Sequence, residues 1–150
     1  MLNILKFIFI TIQMGTQKLD LAFGLKNEHT VLESIEGMVG TKLNHHRDYS
    51  VMDYSNESKT IYVELKSRRI RHNAYDTALI GRNKIQYCTD PNKAYYFVFS
   101  YTDGLYYIKY DRVLFNTFRT DNEYYRTERG DCKNNAQSII HIPVKHLLKI

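Results

Sequence analysis

The stretch Tyr49–Ser67, YSVMDYSNESKTIYVELKS, decides how this chain folds. Two runs rich in Tyr, Val and Ile flank the polar stretch Glu57-Ser58-Lys59-Thr60, the pattern of a β-hairpin. In the second run Ile61, Val63 and Leu65 alternate onto one face, and Tyr62, Glu64 and Lys66 take the other. A four-residue loop sets Asp53 directly across from Glu64 and turns both carboxylates to the same face. A tighter turn at Asn56-Glu57 keeps Asp53 on that face but moves it along the strand. An odd-length loop flips it and brings Asp48 opposite Glu64 instead. Asp53 is therefore the first candidate partner, and Asp48 the reserve.

On the N-terminal side, KNEHTVLESIEGMVG (26–40) repeats Val31, Leu32, Ile35 and Val39 at helical spacing, with Gly37 and Gly40 at its far end. Glu28 falls on the apolar stripe of that helix; Glu33, turned about 140° from it, faces water, and Glu36 flanks the stripe. An acid on a buried stripe is costly unless something pairs with it. The plainer alternative is a first-turn acid favoured by the helix dipole. A strand between this helix and the hairpin has to come from TKLNHH (41–46).

On the C-terminal side, RRIRHNAYD (68–76) is a basic loop. TALIGRNKIQYC (77–88) is predicted as a helix that packs Ala78, Leu79 and Ile85 on the sheet and carries Lys84 and Gln86 as its polar candidates; Gly81 is its weak point. Asp90-Pro91 ends it. AYYFVFSY (94–101) is continuously apolar, as a strand in the middle of a sheet is. Thr102-Asp103-Gly104 turns it into LYYIKY. Residues 111–137 are Arg-rich and weakly patterned, and the chain closes with SIIHIP, a short strand, and VKHLLKI, a short helix or tail.

Two carboxylates facing each other across a hairpin repel unless a cation lies between them. Oxygen ligands in a partly hydrated site suit Mg2+ or Mn2+. Asp53 and Glu64 supply two ligands, and the backbone carbonyl of Leu65 is a possible third. Such an ion lowers the pKa of bound water and stabilises charge on a phosphate. Lys66, adjacent but not a ligand, can orient the nucleophile and offset negative charge in the transition state. The chemistry indicated is metal-assisted phosphodiester hydrolysis.

The order helix, strand, hairpin, helix, buried strand, with Asp53, ten intervening residues and Glu64-Leu65-Lys66, resembles the PD-(D/E)xK nuclease superfamily, the restriction-endonuclease-like fold. The resemblance covers residues 24–101. It implies an α/β protein, a mixed sheet in an αβββαβ core, followed here by an additional C-terminal β-hairpin and short tail elements. It also implies catalytic roles for Glu28, Asp53, Glu64 and Lys66, and a supporting place on the second helix for Lys84 or Gln86. ELKSRR followed by YDTALIGRNKIQY looks especially like small standalone nucleases of large DNA viruses and phages. Met52 stands where the family's proline often precedes the aspartate.

Composition agrees with a nucleic-acid partner without demanding one. The 150 residues carry a net charge of +5, and 43% are hydrophobic, enough for one core. Arg68, Arg69 and Arg71, with His72, are placed to hold a nucleic-acid backbone, expected to be DNA; a solvated basic loop is the alternative. The same choice applies to Arg119, Arg126, Arg129 and Lys133. Some of the 13 tyrosines could stack on bases, although most belong to packed strands. A homodimer is an option if both strands are cut.

Other features exclude rather than suggest. His45-His46 diverge on a strand, His141 and His146 lack zinc spacing, and no Gly-rich phosphate loop or nucleophile elbow occurs. Cys88 and Cys132 read as buried or free thiols of a reducing compartment. Residues 1–13 form an apolar extension too short for stable membrane insertion and without a signal-peptide cleavage pattern, so 14–150 is read as the single domain. The expected location is intracellular: cytoplasm or nucleus, or host cytoplasm or virion for a viral protein.

Overall fold

A computed structural model describes residues 29–124 and 137–150. In chain order it contains helix α1, described over 29–39, and strands β1 (Asn44–His45), β2 (Tyr54–Ser55), β3 (Ile61–Ser67) and β4 (Thr77–Gly81). Helix α2 (Arg82–Tyr87) precedes β5 (Ala94–Tyr101) and β6 (Gly104–Lys109). Helix α3 (Arg112–Phe115), β7 (Thr120–Tyr124), β8 (Gln137–Pro143), a 3-10 turn (Val144–His146) and β9 (Leu148–Lys149) follow.

β5 sets the architecture. It is apolar on both sides because a layer covers each face of its sheet. That sheet has six strands in the order β1-β2-β3-β5-β6-β9, with β3 and β5 parallel and the other neighbours antiparallel. On one face, Val31 and Ile35 of α1 pack with Leu43, Tyr54, Val63 and Val98. On the other, Tyr62, Phe97 and Phe99 pack with Ala78, Ile80, Ile140 and Ile142 of a second sheet, ordered β4-β8-β7. Phe97 and Phe99 are fully buried, and each contributes roughly 1.5–3 kcal/mol by leaving water.

The hairpin has the four-residue loop. Tyr54 pairs with Val63 and Ser55 with Tyr62, the register of a four-residue loop; Asp53 lies in a bend past the last pair, and its N–H also turns to the Val63 carbonyl. Asn56 holds the loop: its carboxamide oxygen accepts from the N–H groups of Thr60 and Ile61 at 2.9 and 3.0 Å. The strand sought in 41–46 exists but is only two residues long. α1 runs through Gly37 and stops at Gly40, whose φ of +76° is the left-handed conformation that ends helices.

One reading of the sequence fails. Residues 77–88 are not one helix: Thr77–Gly81 is a strand, and only Arg82–Tyr87 is helical. Ala78 and Ile80 point inward and pair across to Ile142 and Ile140 of β8, so a partner some 60 residues downstream overrides the local preference. Gly81, extended at φ −65° and ψ 137°, is where strand gives way to helix. At the C-terminus SIIHIP is a strand, as read. β8, holding SIIHIP, is the centre of the second sheet, and VKHLLKI divides into a 3-10 turn and the edge strand β9 on β6.

Candidate active site

The site forms where β2 stops. Asp53 lies one residue before β2, in a bend. Its N–H donates to the Val63 carbonyl at 3.1 Å and its carbonyl accepts from His46 N–H at 2.7 Å. Its side chain completes the edge that the strand abandons: Oδ2 accepts from Leu65 N–H at 2.8 Å. An N–H and a C=O of one strand residue point to the same side. The Leu65 carbonyl therefore faces the edge occupied by Asp53, not β5.

Glu64 is 1% exposed, under the second layer. Lys66 Nζ lies 2.5 Å from its Oε1, and Lys84 Nζ lies 3.0 Å from Oε1 and 3.1 Å from Oε2. Lys84 also donates to the Val51 carbonyl, which ties α2 to the bend carrying Asp53. Burial pushes the Glu64 carboxyl above its ordinary pKa; Lys66 pulls it back, the nearby Asp53 charge raises it again, and Lys84 lowers it. Two ammonium groups therefore hold an anion that desolvation disfavours.

A fully buried carboxylate beside a second carboxylate and a backbone carbonyl is a donor set that fits a small hard cation. Among the described residues, no three His, Cys, Asp or Glu side chains gather as a metal cage. Mg2+ needs none, since it keeps several waters and takes one or two carboxylates. Asp53, Glu64 and the Leu65 carbonyl could hold it, with Lys66, 27% exposed, at the open side.

The remaining predicted residues divide. Glu28 lies outside the described residues, as do Arg126, Arg129, Cys132 and Lys133. Gln86 is exposed on α2, away from the carboxylates that Lys84 meets. Asp48 sits exposed in a turn. Arg69 and Arg71 are exposed, Arg71 Nε 3.9 Å from Asp103, while Arg68 is partly buried and its N–H donates to the Ser100 carbonyl at 2.8 Å. The Arg119 guanidinium lies 3.0 Å from both His141 ring nitrogens, on the far sheet. His45 stacks edge-on to Tyr54, and His46 reaches Ser50 and Ser55 hydroxyls at 3.0 and 2.6 Å. Cys88 is buried and free, its thiol pushed up to about 12 by burial.

Sequence reasoning missed two anchors. One is the Val51 carbonyl that receives Lys84; a backbone acceptor leaves no sequence signal. The other is Asp103, which accepts from His72 Nδ1 at 2.5 Å and His72 N–H at 2.9 Å and fastens the basic loop to the β5–β6 turn. His72 lies in a run already read as basic, but nothing local pointed to a partner 31 residues away.

A mixed sheet with β3 parallel to β5, covered by α1 on one face and carrying Glu64 and Lys66 on the other with Asp53 at the adjoining edge, is an arrangement consistent with the PD-(D/E)xK class and its restriction-endonuclease-like fold. The chain belongs to the family described as "Phage putative PDDEXK endonuclease", whose model matches residues 16–150. No curated protein matches it. Nucleases of this class act on nucleic acid and generally use divalent metals. No helix among the described residues is long and apolar enough to cross a membrane.

Proposed function

We propose that this protein is a divalent-metal-dependent endonuclease that hydrolyses phosphodiester bonds in DNA. The observation that carries the reading is Glu64, a fully buried carboxylate paired with Lys66 and close enough to Asp53 to feel its charge, while Asp53 takes the adjoining Leu65 N–H. When bound, Mg2+ or Mn2+ supplies Lewis acidity and positive charge at the phosphate. Asp53 and Glu64 position it, and the Leu65 N–H fixes the Asp53 carboxylate. Lys66 Nζ orients the water and offsets charge as the phosphate becomes more negative. Lys84 holds Glu64 and the Val51 carbonyl, keeping the bend in place before the metal arrives.

Arg69 and Arg71, on a loop fastened by Asp103, are the backbone contacts of this proposal. Phage DNA in the host cytoplasm suits the chain. A homodimer would supply the two sites that cutting a duplex requires.

One observation favours a second reading, a non-catalytic module that binds nucleic acid on a nuclease fold. Two lysines already neutralise Glu64, so the site does not require a metal for charge balance. Labelled duplex, single-stranded and junction DNA, incubated with Mg2+, Mn2+ or EDTA, separates the two. The nuclease reading expects metal-dependent nicks, lowered 10²–10³-fold by Lys66→Ala, the loss typical of removing one transition-state donor. Binding without cleavage under every metal leaves the second reading standing. Cleavage equal in the Lys66→Ala protein removes the assigned mechanism.

A further inference from the structure

The turn 47–50 lies between β1 and Asp53, and nothing in the nuclease chemistry uses it. Within it Tyr49 holds φ at +72°, one of two non-glycine residues among those described with positive φ. Its side chain is 105% exposed, with no hydrogen bond, ion pair or ring contact to the described residues. A bulky aromatic in the left-handed region is strained, and a phenol ring held wholly in water gains nothing by packing. The sequence supplies no Gly or Asn here, though either would relieve the strain.

The surrounding structure holds the turn in place. His46 N–H donates to Asp53 carbonyl at 2.7 Å and closes the loop at its base. The His46 ring nitrogen Nδ1 reaches Ser50 Oγ at 3.0 Å and the Met52 carbonyl at 2.9 Å. Ser50 N–H returns to the Arg47 carbonyl at 3.3 Å, and Val51 is tied to Lys84. Tyr49 is thus presented from a fixed base that is also the base of the metal site. It precedes Asp53 by four positions, so their Cα atoms lie within about 14 Å. Arg47 is exposed beside it, and the exposed Arg69 and Arg71 follow the strand that delivers Lys66. Positive charge without a neighbouring acid partner for Arg47 or Arg69 among the described residues suits a polyanion better than a protein surface.

We propose that Tyr49 is a stacking residue for an unpaired base flanking the phosphate bound at Asp53 and Glu64, so that the preferred substrate is DNA with a single-stranded segment at the cleavage point. The inference rests on the nuclease reading and adds the substrate class. A flat ring gains from a base face that is free on one side, which the interior of a duplex does not offer. The strain in the turn is offset when the ring is covered.

The test is fluorescence anisotropy in EDTA, which separates binding from cleavage, with a blunt duplex and the same duplex carrying a five-nucleotide flap. The wild type is expected to bind the flap more tightly. Tyr49→Phe should retain the preference. Tyr49→Asn, which suits the left-handed turn, should lose on the order of ten-fold in flap affinity with little change on the duplex and no fall in melting temperature. A 2-aminopurine at the first unpaired position should be quenched by the wild type and by Tyr49→Phe, and not by Tyr49→Asn. Equal flap binding by wild type and Tyr49→Asn overturns the proposal, while metal-dependent cleavage by the same samples leaves the nuclease reading intact. Unchanged DNA binding with altered sedimentation in Tyr49→Asn overturns it in favour of a protein contact. Absence of both binding and cleavage removes the two together.

Discussion

Two of the antiparallel pairs in the six-stranded sheet are opposite in character. β5–β6 keeps six consecutive pairs, from Tyr96–Lys109 to Tyr101–Gly104, and is lined by aromatic rings. Its turn needs only Thr102 and Asp103, since Gly104, at φ +144°, already starts the next strand. β2–β3 keeps two pairs and then bends. β5–β6 is close to fully satisfied by its own backbone, and nothing is left over for chemistry. In β2–β3 the abandoned edge of β3 is satisfied by the Asp53 side chain instead, which places a carboxylate beside a buried glutamate. The site is located where regular pairing ends.

The comparison breaks most visibly in the stable pair. Phe97→Ala, in a fully buried strand centre, is expected to cost about 4 kcal/mol of unfolding free energy, read by urea denaturation. A loss under about 1 kcal/mol would show that β5 is not the structural spine.

Lys84→Ala sharpens the other side. It leaves Glu64 buried with one cation rather than two and frees the Val51 carbonyl. Because Lys66 remains 2.5 Å away, the expected cost is about 2 kcal/mol, below the ~3–5 kcal/mol of a pair fully broken. Adding Glu64→Gln should recover part of it, since the neutral amide no longer needs the second ammonium. If the double variant is less stable than Lys84→Ala alone, Glu64 is not the group that Lys84 holds.

The smallest effect belongs to the β5–β6 turn. His72 holds the Asp103 carboxyl below its ordinary pKa, by its ring and by its N–H. A depressed folded pKa stabilises the fold above the ordinary value of 3.8, and this is lost as pH falls through the folded value. Asp103→Asn should therefore melt below the wild type at pH 7, and the two should converge near about pH 2. Parallel melting curves at both pH values would remove His72–Asp103 as the anchor of the basic loop.

Much of the candidate site's geometry was legible because it is local. Period-two alternation put Glu64 and Lys66 on one face and Leu65 on the other, and an even loop brought Asp53 to the edge beside them. Those relations follow from strand geometry and hold wherever the strand lies. Lys84 was legible only as a polar residue on a presumed helix. Its half of that helix survived, while Thr77–Gly81 became a strand because β8 offered a partner. The second sheet was illegible for the same reason: β7 lies in an Arg-rich stretch whose burial is set by β8, not by its own pattern.

The amino-acid order therefore determined the chemistry-bearing hairpin, its register and the buried central strand, since each depends on neighbours a few residues apart. Only the tertiary structure decided that Glu64 is buried, that Lys84 rather than Gln86 meets it, and that the basic loop is fastened by Asp103. Those depend on which distant segments cover which face, and desolvation, the largest influence on Glu64, is a property of the cover and not of the strand.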